Sequence, residues 1–166
     1  AIAPGVLGVT GVETLEMISA LVSKVSPRAV IVVDSLAARS TSRIGAAVQV
    51  TDTGIQPGSG VGNHRKALSS ETLGGVKVLA VGVPTVIYAS TIVRDAMELL
   101  SDDGDDHAAA LDQMAGELSQ SPLGEMIVTP REVDDLIEDV AGIVALGINR
   151  ALHPGLNDTE IETMRT

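Results

Sequence analysis

The sequence predicts an α/β protein, a three-layer αβα arrangement with a mainly parallel sheet, and three observations carry that prediction. The run Ala29–Val33 is continuous, rich in β-branched residues and too short for a helix, as expected of a strand buried on both faces. A second run of this kind, Val76–Val83, recurs further along. Stretches with apolar residues at helical spacing flank both runs, and strands that alternate with helices build a sheet whose faces the helices cover.

Taken in order, the first element is a helix. Thr10 and Glu13 have the spacing of a capping box, in which each side chain reaches the other's backbone N–H. Val12, Leu15, Ile18, Leu21, Val22 and Val25 then recur on one helical face, and Pro27 stops the helix. The strand Ala29–Val33 follows, with Asp34 directly after it and LAARS read as a turn. A second strand is expected over Ile44–Thr51, and a third over Val76–Val83, ended by Pro84.

Between these two strands lies the longest polar irregular segment, TDTGIQPGSGVGNHRK, Thr51–Lys66, with 4 glycines. Loops of this length in compact domains are usually functional or disordered, this one is too specific in composition for a linker, and glycine lets the backbone approach a ligand or another chain closely. A helix is expected over Val86–Leu100, then an acidic break, Ser101–Asp106, read as a mobile insertion, and a short helix over Ala108–Leu118. Thr129, Pro130 and Glu132 signal a further helix start. Its packing stripe is Val133, Leu136, Ile137, Val140, Val144, Ile148 and Leu152, with Asp134, Asp135, Glu138 and Asp139 on a solvated face. His153, Pro154 and Gly155 end it. Residues 1–155 thus read as one domain and residues 156–166 as a polar tail, with no internal repeat.

Composition narrows the function. The chain has 166 residues, 45% of them hydrophobic, yet one Tyr, no Phe and no Trp, so its core is aliphatic. With 11 Lys and Arg against 22 Asp and Glu, the net charge of −11 neither attracts phosphate backbones nor anionic lipid, and no aromatic platform exists for stacking bases. Nucleic-acid and membrane-surface partners are therefore not expected. The absence of cysteine excludes a disulfide framework, a thiolate metal site and a cysteine nucleophile, and it fits a reducing compartment. No apolar run approaches the ~18 residues of a membrane span, and AIAPGVLGVTG lacks the charged start of a signal peptide, so a soluble intracellular protein is expected. The chain opens without Met on the apolar stretch Ala1–Val6, which reads as the continuation of something longer.

In parallel sheets, ligands bind outside the carboxyl ends of the strands, where the expected strand ends put Asp34 and Asp52. Desolvation at the mouth of a buried strand favours the protonated form of a carboxylate, which suits acid or base chemistry. The plainer reading of Asp34 is a cap on the LAARS turn, and that of Asp52 an Asx-turn at the start of the glycine-rich loop. Arg39 and Arg43 have the charge to orient a carboxylate, although surface ion pairing is the commoner fate of such residues. GSGVGN, Gly58–Asn63, resembles a phosphate-cradling loop only weakly, because no Lys-Ser or Lys-Thr pair follows it. His64, His107 and His153 lack a metal-ligand spacing, and no Gly-x-Ser-x-Gly elbow is present.

Four phrases are more specific: VVDSLAARS (Val32–Ser40), VQVTDTGIQPGSGVGNHRK (Val48–Lys66), VLAVGVPTVI (Val78–Ile87) and VTPREVDDLIEDVA (Val128–Ala141). Together with APGV and TGVET near the start, they resemble the germination proteases of spore-forming bacteria, over nearly the whole chain and in the same order; only Ser101–Ser121 does not contribute. The resemblance implies a fold similar to the hydrogenase-maturation endopeptidases, an autoprocessed zymogen, a homotetramer, and a protease that uses two aspartates to begin degrading small acid-soluble spore proteins in the spore cytoplasm. One aspartate of the pair lies in the family's D-x-L-A-A-R motif, which maps to Asp34. The other lies ahead of the APGV segment and is not among these 166 residues.

Asp34 is accordingly expected to be one half of a dyad, the general-base half, with this chain inactive by itself. Arg39 and Asp52 are expected in supporting roles beside the substrate, and no metal or cofactor is implied. A sheet lacking a neighbouring strand should also expose an edge and associate, with the tetramer as the first expectation. Two other readings stand beside this one: a nucleotide- or phosphate-binding α/β enzyme using Gly58–Asn63, and a non-catalytic assembly core.

Overall fold

A computed structural model describes residues 1–5, 7–57, 66–100, 113, 114, 116–118 and 120–163. These residues fall into two compact units, Ala1–Thr129 and Pro130–Thr166.

The first unit opens with a single helical turn, α1 (Leu7–Thr10), and continues into α2 (Thr14–Val25). The expected capping box does not form. Glu13 itself is the N-cap, with extended backbone and no side-chain cap, while the Thr10 hydroxyl closes a local turn by accepting the Val12 N–H at 3.2 Å. At the other end Ser26 takes the left-handed conformation, φ 51°, and its N–H reaches the Val22 carbonyl at 2.8 Å. Pro27 then prevents continuation, as expected.

The sheet is open and, by paired length, mostly parallel. β1 (Ala29–Ala38) runs parallel to β3 (Lys77–Tyr88), from Ala29 opposite Lys77 to Ala38 opposite Ile87. β2 (Gln49–Thr51) and β4 (Ile127–Val128) are short and antiparallel to β3. Both long strands outrun the sequence expectation. β1 does not end at Val33; Asp34, Ser35, Leu36, Ala37 and Ala38 continue it, because a long parallel neighbour outweighs the weak strand preference of Asp, Ser and Ala. β3 passes through Pro84, where a register shift leaves Thr85 without a counterpart in β1: Leu36 pairs Pro84 and Ala37 pairs Val86. Proline is tolerated at such a bulge, and the Pro84 carbonyl accepts the Gly45 N–H at 2.7 Å.

The expected strand Ile44–Thr51 is mostly not a strand. A 3₁₀ turn, Thr41–Arg43, and a bend at Gly45 (φ 64°) occupy its first half, and what remains pairs antiparallel rather than parallel. Likewise α3 (Ala89–Leu100) begins later than Val86, because β3 extends to Tyr88. α4 (Pro122–Glu125) packs against α3 and β3. The acidic stretch Ser101–Asp106 lies outside the described residues, as does most of the expected helix 108–118, whose described positions 113, 114 and 116–118 are helical.

Side chains in register across β1 and β3 share a face of the sheet. Val30 and Val32 lie on one face with Val78, and there Leu15, Ile18 and Val22 of α2 pack with Leu68, Leu73, Ile55 and Val76. This is the aliphatic core that the composition requires. The other face carries Ile31 and Val33 beside Leu79 and Val81, with Val50 of β2; Val33 is 54% exposed and Val50 61%.

The second unit contains α5 (Val133–Leu152) and α6 (Asp158–Thr163). α5 begins three residues after Pro130 with Glu132 as N-cap, so the Thr129–Pro130 start signal lies just outside the helix. The segment read as a polar tail forms α6. Its start is a true capping box, the Asn157 N–H reaching Glu160 Oε2 at 2.8 Å and the Glu160 N–H reaching Asn157 Oδ1 at 3.0 Å. Arg150 joins the two helices through a forked ion pair with Asp158, its Nε at 2.8 Å from Oδ1, and Ile161 is fully buried. Among the described residues no helix is long and apolar enough to cross a membrane.

Candidate functional site

Asp34 lies within β1, opposite Gly82 of β3, not beyond the strand's end. It is half-buried. By alternation it shares the face of Val30 and Val32, and so extends the line of core side chains toward the carboxyl end of the strand. Gly82 is required there: a Cβ at position 82 would stand 2.7 Å from Leu36 Cγ and closer still to Cδ1. Leu36 therefore occupies the volume above Gly82, beside the backbone of the residue that carries the carboxylate. On the opposite face, the Ser35 hydroxyl hydrogen-bonds the buried hydroxyl of Thr85, the bulge residue. This bond ties β1 to β3 one residue after Asp34.

Asp52 follows the last residue of β2, on the far side of β3. Thr51 pairs Ala80, so Asp52 sits at the level of Leu79 and hence of Ile31, two strand spacings across from β1. At about 4.8 Å per spacing and 3.3 Å per residue, Asp52 and Asp34 are on the order of 14 Å apart. The structure does not bring these two carboxylates together. Nor does Asp52 form the expected turn: Thr51 takes that role, its hydroxyl accepting the Thr53 N–H at 3.1 Å and meeting the Thr53 hydroxyl at 2.8 Å. The neck of the glycine-rich loop is held by two bonds between Ile55 and Leu68, 2.9 and 2.7 Å, and by the Lys66 N–H donating to Glu13 Oε1 at 3.3 Å. Gly54, at φ 98°, fits against the Leu68 carbonyl, which a Cβ would approach to 2.5 Å. The loop's GSGVGN segment, with His64, lies outside the described residues, as does His107.

Arg39 is the first residue beyond β1, and it is exposed. A charged pair midway along α3 fixes its backbone. Arg94 Nη2 donates to the Arg39 carbonyl, and Asp95 Oδ2 accepts the Thr41 N–H at 2.6 Å. Arg94 and Asp95 also bond each other at 3.2 Å, with side chains 33% and 13% exposed. Burial pushes the Asp95 carboxyl up, but the Thr41 N–H and hydroxyl and the Arg94 guanidinium outweigh it and hold the group below the ordinary carboxylate value. Sequence reading did not find this pair, because its partners are 54 and 55 residues away in the chain. An Arg-Asp dipeptide in mid-helix carries no local signal that distinguishes it from a surface pair.

Among the described residues no group of three or more His, Asp or Glu is placed to hold a metal ion.

Comparison with known proteins places this arrangement in context. The sequence model of a family described as germination protease matches residues 1–110 and 104–165, two pieces that overlap over 104–110. The germination protease of Clostridium perfringens is 45% identical over 171 aligned positions, which cover 94% of this chain and 52% of that protein. That of Caldanaerobacter subterraneus is 40% identical, covering 99% of this chain and 55% of its own length. That of Halalkalibacterium halodurans is 41% identical, covering 97% and 55%. The chain spans about half the length of these curated relatives.

Proposed function

The chain belongs to the germination protease family, and from that premise we propose that it carries one half of an aspartate dyad that hydrolyses peptide bonds in small acid-soluble spore proteins. The observation that carries the proposal is Asp34. It stands in the family's D-x-L-A-A-R phrase as Asp34-Ser35-Leu36-Ala37-Ala38-Arg39, half-buried, on a strand tied to its neighbour on both sides of the residue.

Two carboxylates held close together do not both ionise readily, so one keeps its proton and the other remains a base. Asp34 takes the base role. It draws a proton from a water whose oxygen adds to the scissile carbonyl carbon, while the protonated partner polarises the carbonyl oxygen. Collapse of the tetrahedral intermediate returns the electron pair to the carbonyl, breaks the C–N bond and delivers a proton to the leaving nitrogen. The partner aspartate belongs to the part of the longer family members that these 166 residues do not span, so the chain by itself is inactive. Arg39 and Asp52 support the substrate around this centre. The setting is the spore cytoplasm, the full-length enzyme is a homotetramer made as a zymogen, and the complete fold is that of the hydrogenase-maturation endopeptidases, in three layers.

Support for association comes from β1. Its run Val30–Val33 has the composition of a strand covered on both faces, yet among the described residues β1 pairs only with β3, and Val33 is half exposed. Sedimentation should show mass rising with concentration, and a concentration-independent monomer would remove the association claim.

The test of the catalytic claim is direct. Incubated with a purified small acid-soluble spore protein, the 166-residue chain should leave it intact, whereas a full-length family enzyme should cleave it and lose cleavage by several orders of magnitude when the aspartate of the D-x-L-A-A-R motif becomes Asn. Cleavage by the short chain would sink the dyad argument. Full activity in the Asn variant would remove Asp34 from the mechanism.

A further inference from the structure

We propose that Gln49 is a substrate-binding residue, whose side-chain amide holds a main-chain peptide group of an extended substrate directly across the sheet from Asp34; this rests on the protease reading of Asp34. The first observation is the register. Asp34 of β1 and Gln49 of β2 both pair Gly82 of β3, one from each side, so the three residues form one row across the sheet. Side chains in one row share a face, which here is the face of Asp34. At about 4.8 Å per strand spacing, the Cα atoms of Asp34 and Gln49 are on the order of 10 Å apart. Thr51, the other polar residue of β2 on this face, is level with Val32 through Ala80, and its hydroxyl is engaged with Thr53.

The second observation is what lies between the two. The middle of the row is a glycine, so β3 raises no side chain there, and the space above Gly82 is taken by Leu36, whose Cγ is 2.7 Å from where a Cβ would stand. The row is therefore polar at both ends and apolar in the middle. Gln49 is exposed, and among the described residues its side-chain amide has no hydrogen-bond partner. The chain leading into it is nonetheless held: the Gly45 N–H donates to the Pro84 carbonyl at 2.7 Å and the Ala46 N–H to the Arg43 carbonyl at 3.3 Å.

A primary amide suits one kind of partner. It offers an N–H donor and a C=O acceptor side by side, the complement of the two groups that an extended backbone presents, and it carries no charge to oppose an ionised carboxylate across the row. A peptide lying over Leu36 meets Asp34 on one side and Gln49 on the other. Because the two stand level, and a residue advances the chain by about 3.3 Å, the peptide group that Gln49 holds is the scissile one or its immediate neighbour. The contact fixes which carbonyl faces Asp34 and reads no side chain, as main-chain hydrogen bonds do in other recognition of extended peptides.

The test uses the 166-residue chain and capped decapeptides from a small acid-soluble spore protein, centred on the bond that a full-length family enzyme cleaves. One peptide is intact; in three others a single backbone N–H, at the central bond or the bond on either side, is replaced by an ester oxygen. Affinity is measured by titration calorimetry, and contact by NMR at the Gln49 side-chain amide. The intact peptide should shift the Gln49 amide signals, and one of the three esters should bind about fivefold more weakly, by a factor that does not change with salt because neither group is charged. Gln49→Ala should abolish the difference between that ester and the intact peptide. Gln49→Glu, which keeps an acceptor and loses the donor, should retain the difference at lower overall affinity, both variants keeping the parent far-UV spectrum. An ester effect of equal size in Gln49→Ala, no ester effect at any of the three bonds, or no binding of the intact peptide overturns the assignment of Gln49. Cleavage by the full-length enzyme with its motif aspartate intact or replaced decides separately on Asp34: lost cleavage keeps that reading even where Gln49 fails, and persisting cleavage removes it whatever the peptides show.

Discussion

Replacing Gly82 tests the geometry around Asp34 most sharply. In Gly82→Ala the new Cβ would lie 2.7 Å from Leu36 Cγ and 3.2 Å from Cδ2, so the Leu36 side chain must leave the position it holds next to Asp34. Two effects oppose each other. Alanine removes the conformational freedom of glycine in a strand interior, worth roughly 0.5–1 kcal/mol in favour of the variant. Overpacking a site between two long strands costs about 1–3 kcal/mol, and the clash involves the branch point of Leu36 as well as its flexible tip, so the upper part of that range applies. We predict a net loss of about 1–2 kcal/mol, or about 2–8 °C in Tm for a chain of this length. Urea unfolding monitored by circular dichroism, with m unchanged, measures it. The double variant Gly82→Ala/Leu36→Ala removes the clash, so the two changes should be non-additive by about 1–2 kcal/mol in the compensating direction. A neutral or stabilising Gly82→Ala, or strict additivity in the double variant, would refute the packing of Leu36 over Gly82 and with it the account of Asp34's surroundings.

The clamp at α3 carries a pH signature. The Asp95 carboxyl is held below its ordinary value of 3.8, so its stabilising contribution is fully present above that value and is lost as pH falls through the lower folded-state value. Asp95→Asn should therefore cost about 1–2 kcal/mol at pH 7, with the difference from the parent chain shrinking in acid titrations as the pH falls from 3.8 through the lower folded-state value; a difference that stays constant through the whole acid titration would show that shape rather than charge holds Thr41. Leu68, 1% exposed at the centre of the core, should cost about 2–5 kcal/mol when cut to Ala, while Val33→Ala, at a half-exposed position, should stay within about 0.5 kcal/mol in dilute solution. Equal losses at the two sites would mean that the face of Val33 is covered in solution.

What the sequence made legible follows the range of each signal. Apolar periodicity is local, so α2, the long helix Val133–Leu152 and the existence of both long strands could be read directly, with Pro27 and His153 as correct stops. Pairing is not local. LAARS reads as a turn and Pro84 as a terminator because isolated residues have those preferences. Ten residues of parallel pairing overrule them, and the bulge at Thr85 absorbs the proline. The antiparallel sense of β2 has no trace in Val48–Thr51 at all; it is set by the turns at Thr41–Arg43 and Gly45 that reverse the chain.

The same distinction divides the site. Asp34 was legible because a single acid follows four β-branched residues of a buried run, but its placement at a strand mouth was not right, and the difference has a chemical consequence. A carboxylate at a mouth is reached by solvent and by turning loops, whereas one inside β1 has its backbone fixed on the β3 side by Gly82 and its neighbour Ser35 tied to Thr85. Such a residue gives up rotational freedom before any substrate arrives, which is what a base needs if it is to meet a water at one fixed position. Arg39 was legible as a charge and as the last residue of the motif. Arg94 and Asp95, which hold its carbonyl and the Thr41 N–H, are connected to it by no spacing rule, so that part of its surroundings emerges from the fold and not from the motif.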